Sequence, residues 1–263
     1  MSLVPGRAGA LIAELGDRVV LHDLYDDVGA PVYAELVEAD THEIREILRA
    51  VAPTKAAVLE LAAGSGRLTL PLLALGREVT ALELSPAMLD ELRRRLDLAP
   101  AGLRDRATLV HADMADFDLG RRFGAIVLAA TSLTLLDQAG RRGLYASVRR
   151  HLDAGGRFLL TVLDPYNEGG EAEVVHEVDT ASGRAYRLVE YRVPGEGLRY
   201  VTVFPLKLPA GQVHVCRSTV RVLESADVVV ELEQAGLRVA ARTPIDGPDD
   251  RYRALLLEVV VDP

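Results

Sequence analysis

Glu60, Gly64, Gly66, Glu83 and Asp113 are spaced as residues that could hold a nucleotide. The first three lie in VLELAAGSGRL, residues 58–68, where an apolar run ends in an acid and is followed by two glycines separated by one residue. Bare backbone at Gly64 and Gly66 lets a ligand approach above the helix that follows. Glu83 closes the next apolar run, where a carboxylate can accept both hydroxyls of an adenosine ribose. Asp113, in HADMADF, follows a third run and can accept the exocyclic amine of an adenine, with Met114 lying against the ring. A dinucleotide could use a similar turn, but its pyrophosphate needs a nearly bare helix N-terminus. Here Arg67 follows Gly66 directly and Thr69 stands at the third glycine position, so the dinucleotide reading loses weight.

These residues need strand ends and turns to present them. AAVLEL (56–61) reads as a strand, RLTLPLLAL as a helix and REVTALEL (77–84) as a strand. SPAMLDELRRRL reads as a helix with Ser85 as N-cap and Pro86 at its first position. Strands are predicted at 107–110, 123–130 and 156–163, with a helix over 138–152. Upstream, VYAELVEADTHEIREILRA (32–50) predicts one helix that begins at Pro31 and is ended by Pro53. Apolar strands between amphipathic helices indicate a doubly wound, largely parallel sheet with its ligand at the strand C-terminal ends.

From about residue 171 the rhythm changes. EAEVVHEVDT, GRAYRLVEYRV, LRYVTVFPLKL and QVHVCRSTVRVL read as strands separated by hairpin turn signals, giving an antiparallel insertion of three or four strands with one solvated and one covered face. A helix over 225–235 and strands near 237–243 and 252–261 resume the earlier pattern. The loop PIDGPDD between those strands is too short for a helical crossover, so the sheet should finish on an antiparallel strand.

The 263 residues suit one large α/β domain with an inserted subdomain, and 49 % apolar against 26 % charged residues excludes a disordered chain. A net charge of −9 argues against a nucleic-acid partner, which would need a basic face. The lone Cys216 allows no internal disulfide and reads as a buried thiol in a reducing compartment. No apolar run is long enough to span a bilayer and the N-terminus shows no signal-peptide core, so a cytoplasmic protein without a membrane partner is expected. The scattered histidines include no metal-ligand spacing, and no metal is expected.

The spacing of Glu60, Gly64, Gly66, Glu83 and Asp113, with the antiparallel final strand, resembles class I S-adenosylmethionine methyltransferases over roughly residues 55–163 and 225–261. The resemblance implies a Rossmann-like seven-stranded methyltransferase sheet, last strand antiparallel, with an inserted antiparallel β subdomain. It also implies S-adenosyl-L-methionine as cofactor. Backbone at Ala62, Gly64 and Gly66 would hold the methionine moiety, with Glu60 helping the cofactor's amino group through water. Glu83 would hold the ribose, Asp113 and Met114 would reach adenine, Leu84 and Met88 would pack on it, and Ala130 completes the cofactor set. Residues 1–54 are expected to form a helical segment covering the cofactor site, 55–170 with 223–263 the cofactor-binding core, and 171–222 a substrate lid or oligomer contact. A homodimer is compatible with the last.

LELAAGSGRLTLPLLALGREVTALELS (59–85), DRATLVHADMADFDLGRRFGAIVLA (105–129) and RRGLYASVRRHLDAGGRFLL (141–160) look like the methyltransferases that N-methylate vancomycin-type glycopeptide antibiotics. LHDLYDD followed by Tyr33 matches their N-terminal approach to the cofactor. A looser likeness extends to amino-sugar N,N-dimethyltransferases and to the daptide-type ribosomal-peptide methyltransferases. All act on an exposed aliphatic amine of a natural product, so the implied substrate is a peptide or small-molecule amine, with O-methylation of a small molecule as the other enzymatic reading. A non-catalytic cofactor-binding partner is a third. AATSLTLLDQ (129–138) and the insertion diverge from the glycopeptide relatives, which leaves a linear peptide end at least as good a fit.

Such an amine must lose a proton before it can attack. Tyr25 and Tyr33 are candidates for closing the site and orienting the amine, His214 for a general base, and Asp164, with Tyr166, for a group at the edge where substrate enters. Each has a plain structural alternative: helix packing for the tyrosines, an outward strand position for His214 and loop capping for Asp164.

Overall fold

The computed structural model describes residues 4–38, 40–165, 172–193, 195–245 and 252–262. In chain order its strands are β1 (Val19–Asp23), β2 (Val58–Leu61), β3 (Val79–Glu83), β4 (Ala107–His111), β5 (Phe123–Leu128), β6 (Leu152–Pro165), β7 (Glu173–Asp179), β8 (Ala185–Val193), β9 (Leu198–Pro205), β10 (Val213–Arg221), β11 (Leu237–Ile245) and β12 (Tyr252–Val261). The chain forms two compact units, Met1–Asp40 with Gly169–Val222 and Thr41–Glu168 with Leu223–Pro263.

In the larger unit the sheet order is β11-β12-β6-β5-β2-β3-β4. β2 pairs in parallel with both β3 and β5, and β12 runs antiparallel to both β6 and β11, as the short loop before it demands. The chain steps from β2 outward through β3 and β4, then returns to β5 on the other side of β2. That reversal makes the C-terminal ends of β2 and β5 the switch point of the sheet, the place where open α/β sheets bind ligands.

Helices cover both faces, so these strands must be apolar on both, and every residue of β2 is buried. Leu59, Leu61, Leu82, Ile126 and Leu128 pack on one face. Val58, Ala81, Val127, Ile47 and Leu72 pack on the other. Strand alternation places Glu60 on that second face, as the one carboxylate of β2 inside the core. A bidentate ion pair of Arg141 with Glu231, at 2.7 and 2.6 Å, ties the helix Gln138–His151 to the helix Ser225–Gln234.

The smaller unit is a five-stranded sheet of order β1-β10-β9-β8-β7. The insertion supplies four antiparallel strands, and β1, which the sequence pattern did not single out, joins β10 in parallel. Its hydrophobic alternation predicted one covered face, but apolar clusters form on both. Val213, Val215 and Phe204 pack with Ala8 of the helix Gly6–Leu15, and Cys216, Val203 and Tyr186 pack with Tyr33 and Leu36 of the helix Gly29–Val37.

The single helix expected over 32–50 is two, Gly29–Val37 and Ile44–Val51. Asp40 and Thr41 between them are poor helix formers, and the two helices bury their apolar faces in different clusters. The expected 1–54 segment therefore divides near residue 40, and its second helix belongs to the larger unit. Among the described residues no helix is long and apolar enough to cross a membrane.

Candidate functional site

The turn after β2 is built from left-handed backbone: Ala62, Gly64 and Gly66 have φ of 51°, 55° and 90°. The two glycines are required for different reasons. A Cβ at Gly66 would stand 2.3 Å from Leu92 Cδ1, so this glycine lets the turn close against the helix Pro86–Leu98. A Cβ at Gly64 would meet nothing within 4 Å, which leaves space for a ligand over its backbone. Ser65 between them is buried, and its hydroxyl has no hydrogen-bond partner among the described residues.

Glu83 is tied to this turn. Its Oε2 accepts from Gly64 N and its Oε1 from Leu84 N and Ser85 N, all at 2.9 Å. A carboxylate offers about four lone-pair sites, so a ribose must use the remaining one or displace a backbone amide. Leu84 is 58 % exposed beside it, an apolar side chain open for a ring to cover, and His111 Nε2 lies 2.8 Å from its carbonyl. Ser85 Oγ accepts from Met88 N at 3.2 Å, the expected N-cap, and Met88 is buried in the helix interior.

Glu60 is 3 % exposed, with Thr69 Oγ1 donating to its Oε2 at 2.6 Å. Burial pushes its pKa up to about 8, opposed by the Thr69 hydrogen bond and the Arg67 charge and assisted by Glu83 and Glu43. Thr69, where a dinucleotide turn would carry glycine, is thus the hydroxyl that partners a buried acid. Asp113 is exposed and its Oδ1 accepts from Ala115 N at 2.8 Å, which shapes the turn after β4, while Met114 is buried in the core cluster.

Sequence reasoning missed Glu43. Its carboxylate pairs with Arg67 and accepts from Ala130 N at 2.9 and 3.0 Å, so it bridges the turn after β2 to the turn after β5. Its only signal was the polar interruption in what read as one helix. Ala130 and Thr131 both have φ of 53°, an uncommon conformation for residues with a Cβ. Glu43 holds the first, and Thr161 Oγ1, accepting from Thr131 N at 3.1 Å, holds the second.

Asp164 has a different place from the one expected of a reactive group. Its Oδ1 accepts from Ser225 N at 2.6 Å and its Oδ2 from Ser225 Oγ at 2.7 Å. It caps the helix Ser225–Gln234, where a carboxylate satisfies amides the helix leaves open. Tyr166 lies outside the described residues. The remaining acceptor-side candidates fall in the smaller unit. Tyr25 and Tyr33 meet edge to face, ring centroids 5.3 Å apart, and His214 is exposed on β10 with Nδ1 2.8 Å from His22 Nε2. The residues expected to hold a cofactor thus fall in one unit, and the tyrosines and His214 in the other. Among the described residues no group of three or more His, Cys, Asp or Glu could hold a metal ion.

A seven-stranded sheet with an antiparallel penultimate strand, reversed at β2, with a glycine turn and an acid at the end of β3, defines a class I methyltransferase fold. Residues 58–156 match the family model described as a methyltransferase domain. The glycopeptide N-methyltransferase MtfA solved with sinefungin is 40 % identical, with 98 % of each chain covered and a TM-score of 0.72. The same enzyme with S-adenosylmethionine is 39 % identical over 98 % of each chain, with a TM-score of 0.69. A curated relative, the dTDP-3-amino-3,4,6-trideoxy-alpha-D-glucopyranose N,N-dimethyltransferase of Streptomyces venezuelae, is 28 % identical over 76 % of this chain and 83 % of its own. The chain belongs to the S-adenosylmethionine-dependent methyltransferases.

Proposed function

We propose that the chain N-methylates, once or twice, a primary aliphatic amine at the terminus of a peptide natural product, either a linear ribosomal peptide of the daptide kind or a glycopeptide. The observation that carries this reading is the 40 % identity across nearly the whole of both chains to an enzyme that methylates a glycopeptide on nitrogen.

The larger unit suits the cofactor. Open space over Gly64, the exposed Leu84 and the acid Glu83 fit the methionine, adenine and ribose parts in turn. Ala62, Gly66, Glu60, Met88, Asp113, Met114 and Ala130 complete the set we assign to it. When bound, S-adenosylmethionine would supply a methyl carbon activated by its sulfonium for displacement by the amine nitrogen's lone pair.

The chain's own task is to deliver that lone pair. A primary ammonium has a pKa of about 8 to 10 near neutrality, so a proton must leave it. We assign its removal to Nε2 of His214, and orientation of the amine to Tyr25 and Tyr33. We further assign residues 1–54 to cover bound cofactor, the first 20 ordering over it, and 171–222 to form a substrate lid or an oligomer contact. Asp164, which accepts one bond from Ser225 on each oxygen, is assigned capping.

An amino sugar is the second reading, favoured by the likeness to the dTDP-amino-sugar dimethyltransferase. An intact-mass assay with S-adenosylmethionine separates them. Linear peptides with a free terminal amine, a glycopeptide aglycone, an amino sugar and a phenol are offered in parallel. One or two methyl groups gained by a peptide amine is the expected result, and gain by the amino sugar or the phenol alone contradicts it.

A further inference from the structure

We propose that His22 and Asp26 are positioning residues for His214: Asp26 fixes the tautomer of His22, and His22 fixes His214 with its Nε2 lone pair free. The proposal rests on the reading of His214 as the group that takes the amine's proton.

The geometry begins with β1. Its parallel pairing sets Val20 opposite His214 and His22 opposite Cys216, so the two histidines lie on one face of the sheet although 192 positions apart. Their rings are 5.0 Å apart between centroids and inclined by 36°, and His22 Nε2 lies 2.8 Å from His214 Nδ1. On its other side His22 Nδ1 stands 3.4 Å from Asp26 Oδ2.

Asp26 is held firmly. Its Oδ1 accepts from Val28 N and Gly29 N, both at 2.8 Å, and its Oδ2 from Asp23 N at 3.1 Å. Partial burial works to raise its pKa, but hydrogen bonds from the Gly29 and Val28 amides lead the opposing causes, and the carboxyl lies below its ordinary value. An ionised carboxylate only accepts, so the 3.4 Å approach favours the His22 tautomer that carries its proton on Nδ1.

Neutral His22 then has only a lone pair at Nε2. For the 2.8 Å contact to be a hydrogen bond, His214 must donate from Nδ1, which leaves Nε2 of a neutral His214 unprotonated. A proton arriving at that nitrogen makes an imidazolium whose Nδ1–H already points at His22, backed by the Asp26 charge. The groups around the pair do not compete for this proton. The Cys216 thiol is pushed up to about 11 by burial and by the Asp26 and Asp23 charges, and Asp23 Oδ1 accepts from Tyr25 N.

Imidazole nitrogen NMR on the full chain, labelled with 15N-histidine and recorded at alkaline pH, tests this without any acceptor. His214→Gln identifies the His214 signals. The expected spectrum shows His214 protonated at Nδ1 and bare at Nε2, and His22→Phe returns it to the Nε2–H form that free imidazole prefers. Asp26→Asn should loosen the preference, but it also gives up the bond that Oδ2 accepts from Asp23 N, so His22→Phe is the decisive variant, with its fold checked by circular dichroism. His214 found as Nε2–H in the parent protein, or unchanged by His22→Phe in a folded variant, overturns the proposal.

Kinetics separate this from the reading beneath it. On an amine that the parent methylates, His22→Phe should lower kcat about tenfold or more with KM for S-adenosylmethionine unchanged, and His214→Phe should lower it by about a hundredfold or more. The expected NMR shift together with undiminished turnover by His214→Phe would keep the tautomer relay and dismiss His214 as the base.

Discussion

The Gly64 amide donates to Glu83 Oε2 at 2.9 Å, so the turn after β2 and the end of β3 are one hydrogen-bonded unit before any ligand enters. Preorganisation of this kind lowers the ordering cost of binding. On the proposed ribose assignment, Glu83 would act on the cofactor both through its own oxygens and through the backbone it holds.

Glu83→Ala should therefore weaken S-adenosylhomocysteine binding by more than one ordinary hydrogen bond. Charge-assisted bonds are worth about 1.5–3 kcal/mol each, so titration calorimetry should read a loss of at least about tenfold. An affinity unchanged within twofold would remove the ribose assignment.

The two glycines of the turn should separate stability from binding. Gly66→Ala forces a methyl into Leu92 at 2.3 Å on top of the strain that a φ of 90° puts on a side chain, and should cost about 2–5 kcal/mol in denaturant unfolding. Gly64→Ala meets nothing within 4 Å and should cost about 1–2 kcal/mol of left-handed strain, with a marked loss of cofactor affinity. Equal behaviour of the two variants in both measurements would contradict the distinction.

Glu60 should make stability depend on pH in an unusual direction for a carboxylate. Its pKa is about 8 in the folded state against an ordinary 4.5, so between those values the folded chain holds the proton and the unfolded chain does not. Its contribution is fully present below about 4.5 and is lost as pH rises through 8. Glu60→Gln should thus raise Tm relative to the parent progressively from pH 5 to pH 8.5, read by thermal unfolding without cofactor. A difference in Tm that is flat with pH would sink this account of the buried acid.

Glu43 joins Arg67 to the Ala130 backbone, and its loss should be felt at both. Glu43→Ala should destabilise by about 3–5 kcal/mol, the range for breaking a largely buried ion pair. In a double-mutant cycle with Arg67→Met the two losses should fall short of additive by at least about 1 kcal/mol. Additivity would mean that the pair contributes nothing as a pair.

Much of the larger unit was legible because its signals are local. The buried run Val58–Leu61, the Ser85–Pro86 helix start and the short loop before β12 each follow from neighbouring residues. The smaller unit was less so. β1 is a short apolar run that gains strand identity only by pairing with β10, and the break near residue 40 reflects two cores claiming two halves of one amphipathic stretch. The same limit applies to the site. The glycine turn and Glu83 were visible from spacing, whereas Glu43, Thr161 and His22 act through partners 24, 30 and 192 positions away, and no local pattern marks such contacts. Asp164 lay where a substrate-facing acid was expected, and the nearby start of the helix Ser225–Gln234 took both its oxygens.

The central claim is methyl transfer to a terminal amine, and a matched pair of acceptors tests it most directly. One linear peptide is offered with a free terminal amine and again with that amine acetylated, each with trideuteromethyl-labelled S-adenosylmethionine, and the products are mapped by fragment-ion mass spectrometry. One or two labelled methyl groups on the terminal nitrogen of the free peptide, with none on its acetylated twin, is the predicted result. Label on both peptides, or on an oxygen of either, would contradict it.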